Sequence, residues 1–361
     1  MYARAHLRYI RSEDRKMAIA GTRARGSLGT GAIRPAQGLS VIVPLYNEAE
    51  GLPALHKRLA QFAERLRAER KLSTEIVYVD DGSKDDTLEI ARRLPQGGVD
   101  FQIVSFSRNF GKEAALRAGL DHARFDALLF MDGDGQHPPE LADQLVNFWI
   151  DEGYDVVFTA KAHRASESAL RRAAVHGFYK MLNWGARHPI PEDAGDFRLL
   201  SPRAAAALKQ LPERNRFFKG LSSWIGFKQK RVPYEPAPRT HGTSTWNYRT
   251  LLGLSIEGLT AFSTAPLRLA SLFGVIISAS AFLFGLWIVF ETIYYGKDVP
   301  GYPSIMVSVM VIGGVQLLMI GIVGEYIAKI MSELRGRPVY FVAEHEIFEA
   351  AGKKDPREAA E

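Results

Sequence analysis

Between residues 38 and 160, short continuous apolar runs alternate with longer stretches in which apolar positions recur every three or four residues. SVIVPLY (40–46), TEIVYVDD (74–81), FQIVSFS (101–107), DALLFMD (126–132) and YDVVFTA (154–160) have strand length and are rich in Val, Ile and Phe. The stretches between them read as helices: about 49–72, DDTLEIARRL, KEAALRAGLDHA and PPELADQLVNFWIDEG. This β–α alternation predicts an α/β domain with a mainly parallel sheet covered by helices on both faces. In such sheets a ligand sits beyond the C-terminal ends of the strands.

Near the C-terminus the pattern changes. Leu269–Phe290 is 22 residues without a charge, and Gly301–Gly324 is 24. As helices they reach ~33–36 Å, enough to span a hydrocarbon core of ~30 Å. The short connection ETIYYGKDVP predicts a hairpin with both outer ends on one side. Arg249, Arg268, Lys329, Arg335 and Arg337 flank those ends, so the flanks and both termini are expected to be cytoplasmic. TLLGLSIEGLTAFSTAP, just before the first span, reads as an amphipathic helix on the membrane face.

Composition adds less. The chain has 361 residues and a net charge of +6, a balance that suits nucleic acid, an anionic membrane or phosphorylated ligands alike. Its basic residues concentrate in the arm and membrane flanks rather than in a nucleic-acid reader motif, so no nucleic-acid partner is expected. With no cysteine, disulfides, zinc–thiolate sites and a thiol nucleophile are excluded. Residues 1–37, rich in Arg, Ala and Gly, read as a disordered basic arm without a secretory signal, and Met17 is an alternative start.

The chemistry gathers at the strand ends. The first strand ends in Tyr46-Asn47-Glu48 and the second in Asp80-Asp81-Gly82-Ser83. The third ends in Ser107-Arg108-Asn109, with Gly111-Lys112 after it, and the fourth in Asp132-Gly133-Asp134. Polar residues from four strands therefore converge on one edge. An EF-hand is excluded, because its sixth position, counted from Asp132, is His137 and not glycine. No dinucleotide fingerprint follows the first strand, and no Walker loop is present. The pair Asp132 and Asp134 fits a hard divalent cation, Mg²⁺ or Mn²⁺, held against a diphosphate.

SVIVPLYNE, VDDGSKDDT, SFSRNFGKEAAL, MDGDGQHPPE, DAGDFRLLS and the paired spans together resemble family 2 glycosyltransferases of the GT-A fold. The likeness covers roughly residues 38–345 and is nearest to the polyprenyl-phosphate branch, with its dolichol-phosphate mannose synthase, GtrB-like and ArnC-like enzymes. It implies that Pro44, Tyr46, Asn47 and Glu48 line a nucleotide pocket and that Asp80 and Asp81 hold base and ribose. It sets Arg108, Asn109 and Lys112 by the nucleotide-sugar and makes Asp132, Gly133 and Asp134 the metal-binding D-x-D stretch. EDAGDFRLLS supplies an acceptor-side acid, with Asp193 and Asp196 both candidates. Arg198, Arg214, Arg216, Lys219, Arg239 and Ser244 are expected near the acceptor phosphate. Thr245 stands where many relatives carry lysine.

The resemblance implies inverting transfer of a sugar from a nucleotide-sugar, UDP-linked favoured, to polyprenyl phosphate at the inner membrane. It also implies a homo-oligomer, a tetramer being one form open to it. The expected layout is the arm (1–37), a GT-A domain (38–247) and an interfacial helix (248–266). Two transmembrane helices follow (267–293 and 301–327), then a cytoplasmic C-terminal segment and tail (329–361). The rival readings are a processive polysaccharide synthase, which lacks support because no Q-x-x-R-W is present, and a membrane-anchored nucleotide-sugar sensor or scaffold.

Overall fold

The computed structural model describes residues 38–133, 139–161, 175–177, 179–180, 183, 194–211, 213, 218–234, 265–295 and 301–350. The expected basic arm and interfacial helix lie outside these residues. The first half follows the sequence pattern: β1 (Leu39–Leu45), α1 (Leu52–Arg70), β2 (Thr74–Asp80), α2 (Thr87–Arg92), β3 (Asp100–Phe106), α3 (Lys112–His122), β4 (Ala127–Phe130), α4 (Pro139–Ile150) and β5 (Val156–Lys161). Then come β6 (Ala194–Leu200), α5 (Pro202–Lys209), α6 (Phe218–Trp224) and β7 (Gln229–Tyr234). Two long helices follow, α7 (Ala265–Tyr295) and α8 (Tyr302–Leu334), and the described chain closes with β8 (Val342–Phe348).

The strands form one sheet in the order β7-β5-β6-β4-β1-β2-β3-β8. β4-β1-β2-β3 is a parallel block, and β5 and β7 are also parallel. β6 runs antiparallel to both β4 and β5, and β8 antiparallel to β3. The central strands are continuously apolar because both faces are covered. Alternation along them separates two cores. Val41, Val43, Ile76, Tyr78 and Phe101 pack with α1 and α4, while Ile42, Val77, Val79, Val104 and Phe130 pack with α3, α5 and α6. α3 lies very close to the sheet: a Cβ on Gly119 would come within 2.1 Å of the Ile42 side chain. That approach sets the N-terminus of α3, and with it Lys112, at the C-terminal edge of the parallel block.

Three strands, β6, β7 and β8, lie beyond the five that the sequence pattern predicts, and β8 departs furthest. Residues 329–361 read as a segment and tail, yet β8 returns from beyond the long helices and joins the sheet beside β3. Glu344, His345 and Glu346 break any apolar run, so no strand signal stands out. Tertiary partners supply the support. Arg92 pairs with Glu344, and with Glu346 at 2.7 Å, and Phe348 stacks on Phe101 at 4.6 Å.

Within α7 and α8, Leu269–Tyr295 and Val307–Leu334 have mean hydropathies of 2.3 and 2.2, and none of either stretch is buried in the protein. Phe282, Leu283, Leu317 and Ile320 are each more than half exposed. Helices with long uncharged stretches uncovered by protein have the length and surface for a bilayer.

Candidate active site

The edge expected to take the donor is assembled from three strand ends stitched together by backbone N–H groups. Beyond β1, Asn47 adopts a left-handed backbone with φ of 56°, a conformation asparagine tolerates well. Its N–H donates to Ser83 Oγ at 3.0 Å, and its side-chain oxygen accepts from the Lys84 N–H at 2.9 Å. The Glu48 N–H donates to Thr87 Oγ1 at 2.9 Å. The β1 and β2 loops thus hold each other, leaving Tyr46 exposed above them.

Asp80 and Asp81 are both buried at the end of β2. Asp80 accepts from the Ser83 N–H at 3.1 Å and from Ser105 Oγ at 2.9 Å. Asp81 accepts from the N–H groups of Phe110 (2.6 Å) and Gly111 (2.9 Å), tying the β2 end to the β3 loop. Burial raises the Asp81 pKa, and those two N–H groups oppose the rise. In this structure both carboxylates brace loops. Gly82 is needed at the crossing: its φ is 65°, and a Cβ there would lie 2.6 Å from the Arg108 carbonyl carbon. Arg108 itself lies over the Phe110 ring at 4.1 Å and is exposed together with Asn109.

Asp132 follows β4. Gly133 rests on the end of β1, where a Cβ would sit 3.0 Å from the Pro44 carbonyl oxygen and from Leu45 Cδ2. This close approach brings the β4 end over the β1 loop.

The centre of the site is an ion cluster drawn from four elements. Lys112 Nζ, at the start of α3, lies 2.5 Å from Asp132 Oδ1 and 2.6 Å from Asp196 Oδ2 on β6. Lys219 Nζ, on α6, lies 3.1 Å from Asp196 Oδ1. Burial works against a charge on Lys112, but the Asp196 and Asp132 carboxylates outweigh it and raise its pKa. For Asp196, burial pushes upward and the two lysines win, holding the carboxyl well below the usual carboxylate range. Asp196 is therefore an anion at neutral pH.

Two further side chains stand behind this cluster. Arg198, expected near an acceptor phosphate, is instead 2 % exposed. Its guanidinium donates to the Gly195 carbonyl at 2.8 Å, to the Phe218 carbonyl at 3.4 Å and to Ser222 Oγ. A planar fork engaged in this way is a brace between β6 and α6, not a surface cation. Glu113 was not singled out in the sequence, where it is simply a polar residue in the first turn of a helix. Its Oε2 accepts from the Phe218 N–H at 3.1 Å. Burial, then the charge of Asp196, pushes its pKa up to about 7. Its only signal in the sequence is that it follows Lys112; its partner is 105 residues away.

Asp134, Asp193, Arg214, Arg216, Arg239 and Ser244 lie outside the described residues. Among the described residues no group of three or more His, Cys, Asp or Glu side chains could hold a metal ion. Asp132 offers a carboxylate oxygen, the ligand type a hard cation prefers, and that oxygen is paired here with the Lys112 ammonium.

The sheet order and ion-lined strand ends define a GT-A-like α/β domain with a mostly parallel sheet, followed by an apolar helical pair. Residues 40–208 match the family described as "Glycosyl transferase family 2", and residues 265–330 match "GtrB C-terminal hairpin". The chain is 41% identical over 304 residues to the SfII prophage-derived bactoprenol glucosyl transferase of Shigella flexneri, covering 84% of this chain and 97% of that one. It is 40% identical over 304 residues to a prophage bactoprenol glucosyl transferase homolog of Escherichia coli (strain K12), covering 84% and 98%. Among solved structures, it is similar to mannosyl-3-phosphoglycerate synthase from Rubrobacter xylanophilus, with 17% identity, a TM-score of 0.43 and coverage of 66% and 75%. The chain belongs to the family 2 glycosyltransferases and carries that hairpin as a membrane anchor.

Proposed function

We propose that this enzyme moves a sugar, UDP-glucose being the first donor to try, from a nucleotide-sugar to polyprenyl phosphate at the cytoplasmic face of the inner membrane. The observation that carries this reading is the Lys112 bridge. One ammonium touches both Asp132, on the donor edge, and Asp196, on the side expected to meet the acceptor. This contact ties the two sides together at one cation, which supports reading them as parts of a single site. The relatives named bactoprenol glucosyl transferases support the lipid acceptor, and the charged flanks of the hairpin support the cytoplasmic face.

In the proposed reaction an oxygen of the lipid phosphate attacks the anomeric carbon. The bond from that carbon to the nucleoside diphosphate breaks on the opposite face, and the configuration inverts. Asp132, with Asp134, would hold Mg²⁺ or Mn²⁺, which as a Lewis acid supports the leaving diphosphate. Lys112 adds a positive charge beside it. Asp80 and Asp81, by fixing their loops, shape the pocket that Pro44, Tyr46, Asn47 and Glu48 border. The acceptor phosphate, with a second pKa near ~6, is already largely dianionic at neutral pH. An anionic Asp196 with a depressed pKa is a poor proton acceptor, so its role is to orient the acceptor and steady positive charge on the sugar. Lys219 supplies the cation for the acceptor phosphate.

The test is a transfer assay on the full-length protein in detergent. Polyprenyl phosphate is offered with labelled UDP-glucose, UDP-N-acetylglucosamine or GDP-mannose, each with Mg²⁺, Mn²⁺ or EDTA. Label passing into the organic phase from one donor, and lost with EDTA, is the expected result. Donor binding without any lipid-linked label would turn the reading towards a sensor.

A further inference from the structure

Lys219 owes its place in the ion cluster to residues outside its own helix. α6 has seven residues. Its first residue, Phe218, is fastened on three sides. The Phe218 carbonyl accepts from Arg198, its ring meets Phe130 of β4 with centroids 4.7 Å apart, and its N–H donates to Glu113 Oε2 at 3.1 Å. The first two contacts are ordinary interior packing, because Arg198, Phe130 and Phe218 are all buried.

The third contact is different. Glu113 is half-buried and shares its surroundings with the like charge of Asp196. A carboxyl in that place is costly, and a fold that needed only an acceptor for one N–H had cheaper choices. Glu113 also adjoins Lys112 in the chain. Consecutive residues at the head of α3 therefore reach the two halves of the site: Lys112 takes Asp132 and Asp196, and Glu113 takes the start of the helix that brings Lys219 to the other oxygen of Asp196.

We infer that Glu113 is a positioning residue for the acceptor side: by anchoring Phe218 to the head of α3, it holds Lys219 against Asp196 in register with Lys112. The inference rests on the reading above, in which Lys219 meets the lipid phosphate. It goes further by tying acceptor affinity to a side chain that touches neither substrate.

The experiment uses the full-length enzyme in detergent and measures binding of UDP and of polyprenyl phosphate separately, with the KM for each substrate alongside. Glu113→Ala should weaken polyprenyl phosphate binding and raise its KM about tenfold, the scale of one lost hydrogen bond. UDP affinity should stay within about twofold. Glu113→Gln keeps a side-chain carbonyl for the Phe218 N–H and should restore acceptor binding to within about threefold of wild type. Lys219→Ala should raise the acceptor KM by at least as much, and Glu113→Ala added to it should change little more, because both act through one contact. An unchanged acceptor KM in Glu113→Ala would overturn the inference. So would equal losses for UDP and lipid together with a lowered Tm, the mark of a general structural role. If the wild type binds UDP but no polyprenyl phosphate, the functional reading fails and this inference with it. If the wild type binds both and Glu113→Ala binds both equally, Glu113 alone is wrong.

Discussion

The proposed donor edge and the proposed acceptor side of the site are held by different forces. Along the donor edge, short loops exchange backbone N–H groups for side-chain oxygens: Asn47 with Ser83, Lys84 with Asn47, and Phe110 and Gly111 with Asp81. Across the acceptor side, long charged side chains from α3, β6 and α6 meet through space, with Asp196 between Lys112 and Lys219. The proposed donor edge is therefore set by hydrogen bonds between neighbouring loops, with the Asp81 carboxylate among the acceptors. The acceptor side is set by a charge balance, in which each member fixes the ionisation of the others.

The largest effect expected is on turnover, and it separates the two regions. Asp132→Asn and Asp196→Asn should each lower kcat by roughly 10²–10³, the usual loss for one preorganised electrostatic group. They should differ in binding. Asp132→Asn should weaken the metal-dependent binding of the nucleotide, measured by titration with Mn²⁺ and UDP, whereas Asp196→Asn should leave it near wild type. Equal nucleotide-binding losses in both variants would erase the distinction between the two sides.

A smaller effect tests the donor edge as backbone. At Gly82, with φ of 65° and no room for a Cβ, alanine must push the Arg108 backbone aside. Gly82→Ala should cost about 1–3 kcal/mol and lower Tm by several degrees. An unchanged Tm with full activity would show that the crossing of the β2 and β3 loops is not rigid.

The smallest effect tests the acceptor side as a charge balance. Folding raises the Glu113 pKa from 4.5 to about 7. In that window the folded protein holds a proton that the unfolded chain releases, so this residue's contribution to stability falls as pH rises and levels off above the folded value. Glutamine has no such loss. The Tm of Glu113→Gln relative to wild type should therefore be higher near pH 8 than near pH 5, by roughly 1–5 °C. A difference that does not vary with pH would remove the charge argument for Glu113.

The two regions also differ in how far they can be read from the chain. On the proposed donor edge, each polar group lies within a few residues of the strand that positions it, so Asn47, Asp80, Asp81 and Asp132 stand out as strand-end residues, and Lys112, which bridges the two sides, follows shortly after β3. Their convergence follows from the parallel order alone. On the acceptor side, Arg198 was expected near a phosphate, and nothing nearby in sequence shows that Phe218 and Ser222 will close over it. Glu113 gave no signal beyond following Lys112, for the same reason.

The amino-acid sequence by itself determined the β–α alternation, the parallel block, the ring of strand-end polar residues and the two apolar spans. These are properties of local periodicity and of side chains a few residues apart. Tertiary structure alone decided that β8 returns to the sheet beside β3, that Arg198 is a buried brace, and that Lys112 joins Asp132 to Asp196. Those outcomes depend on charges and hydrogen-bond partners tens to hundreds of residues apart, whose energies exist only once packing has brought them within a few ångströms.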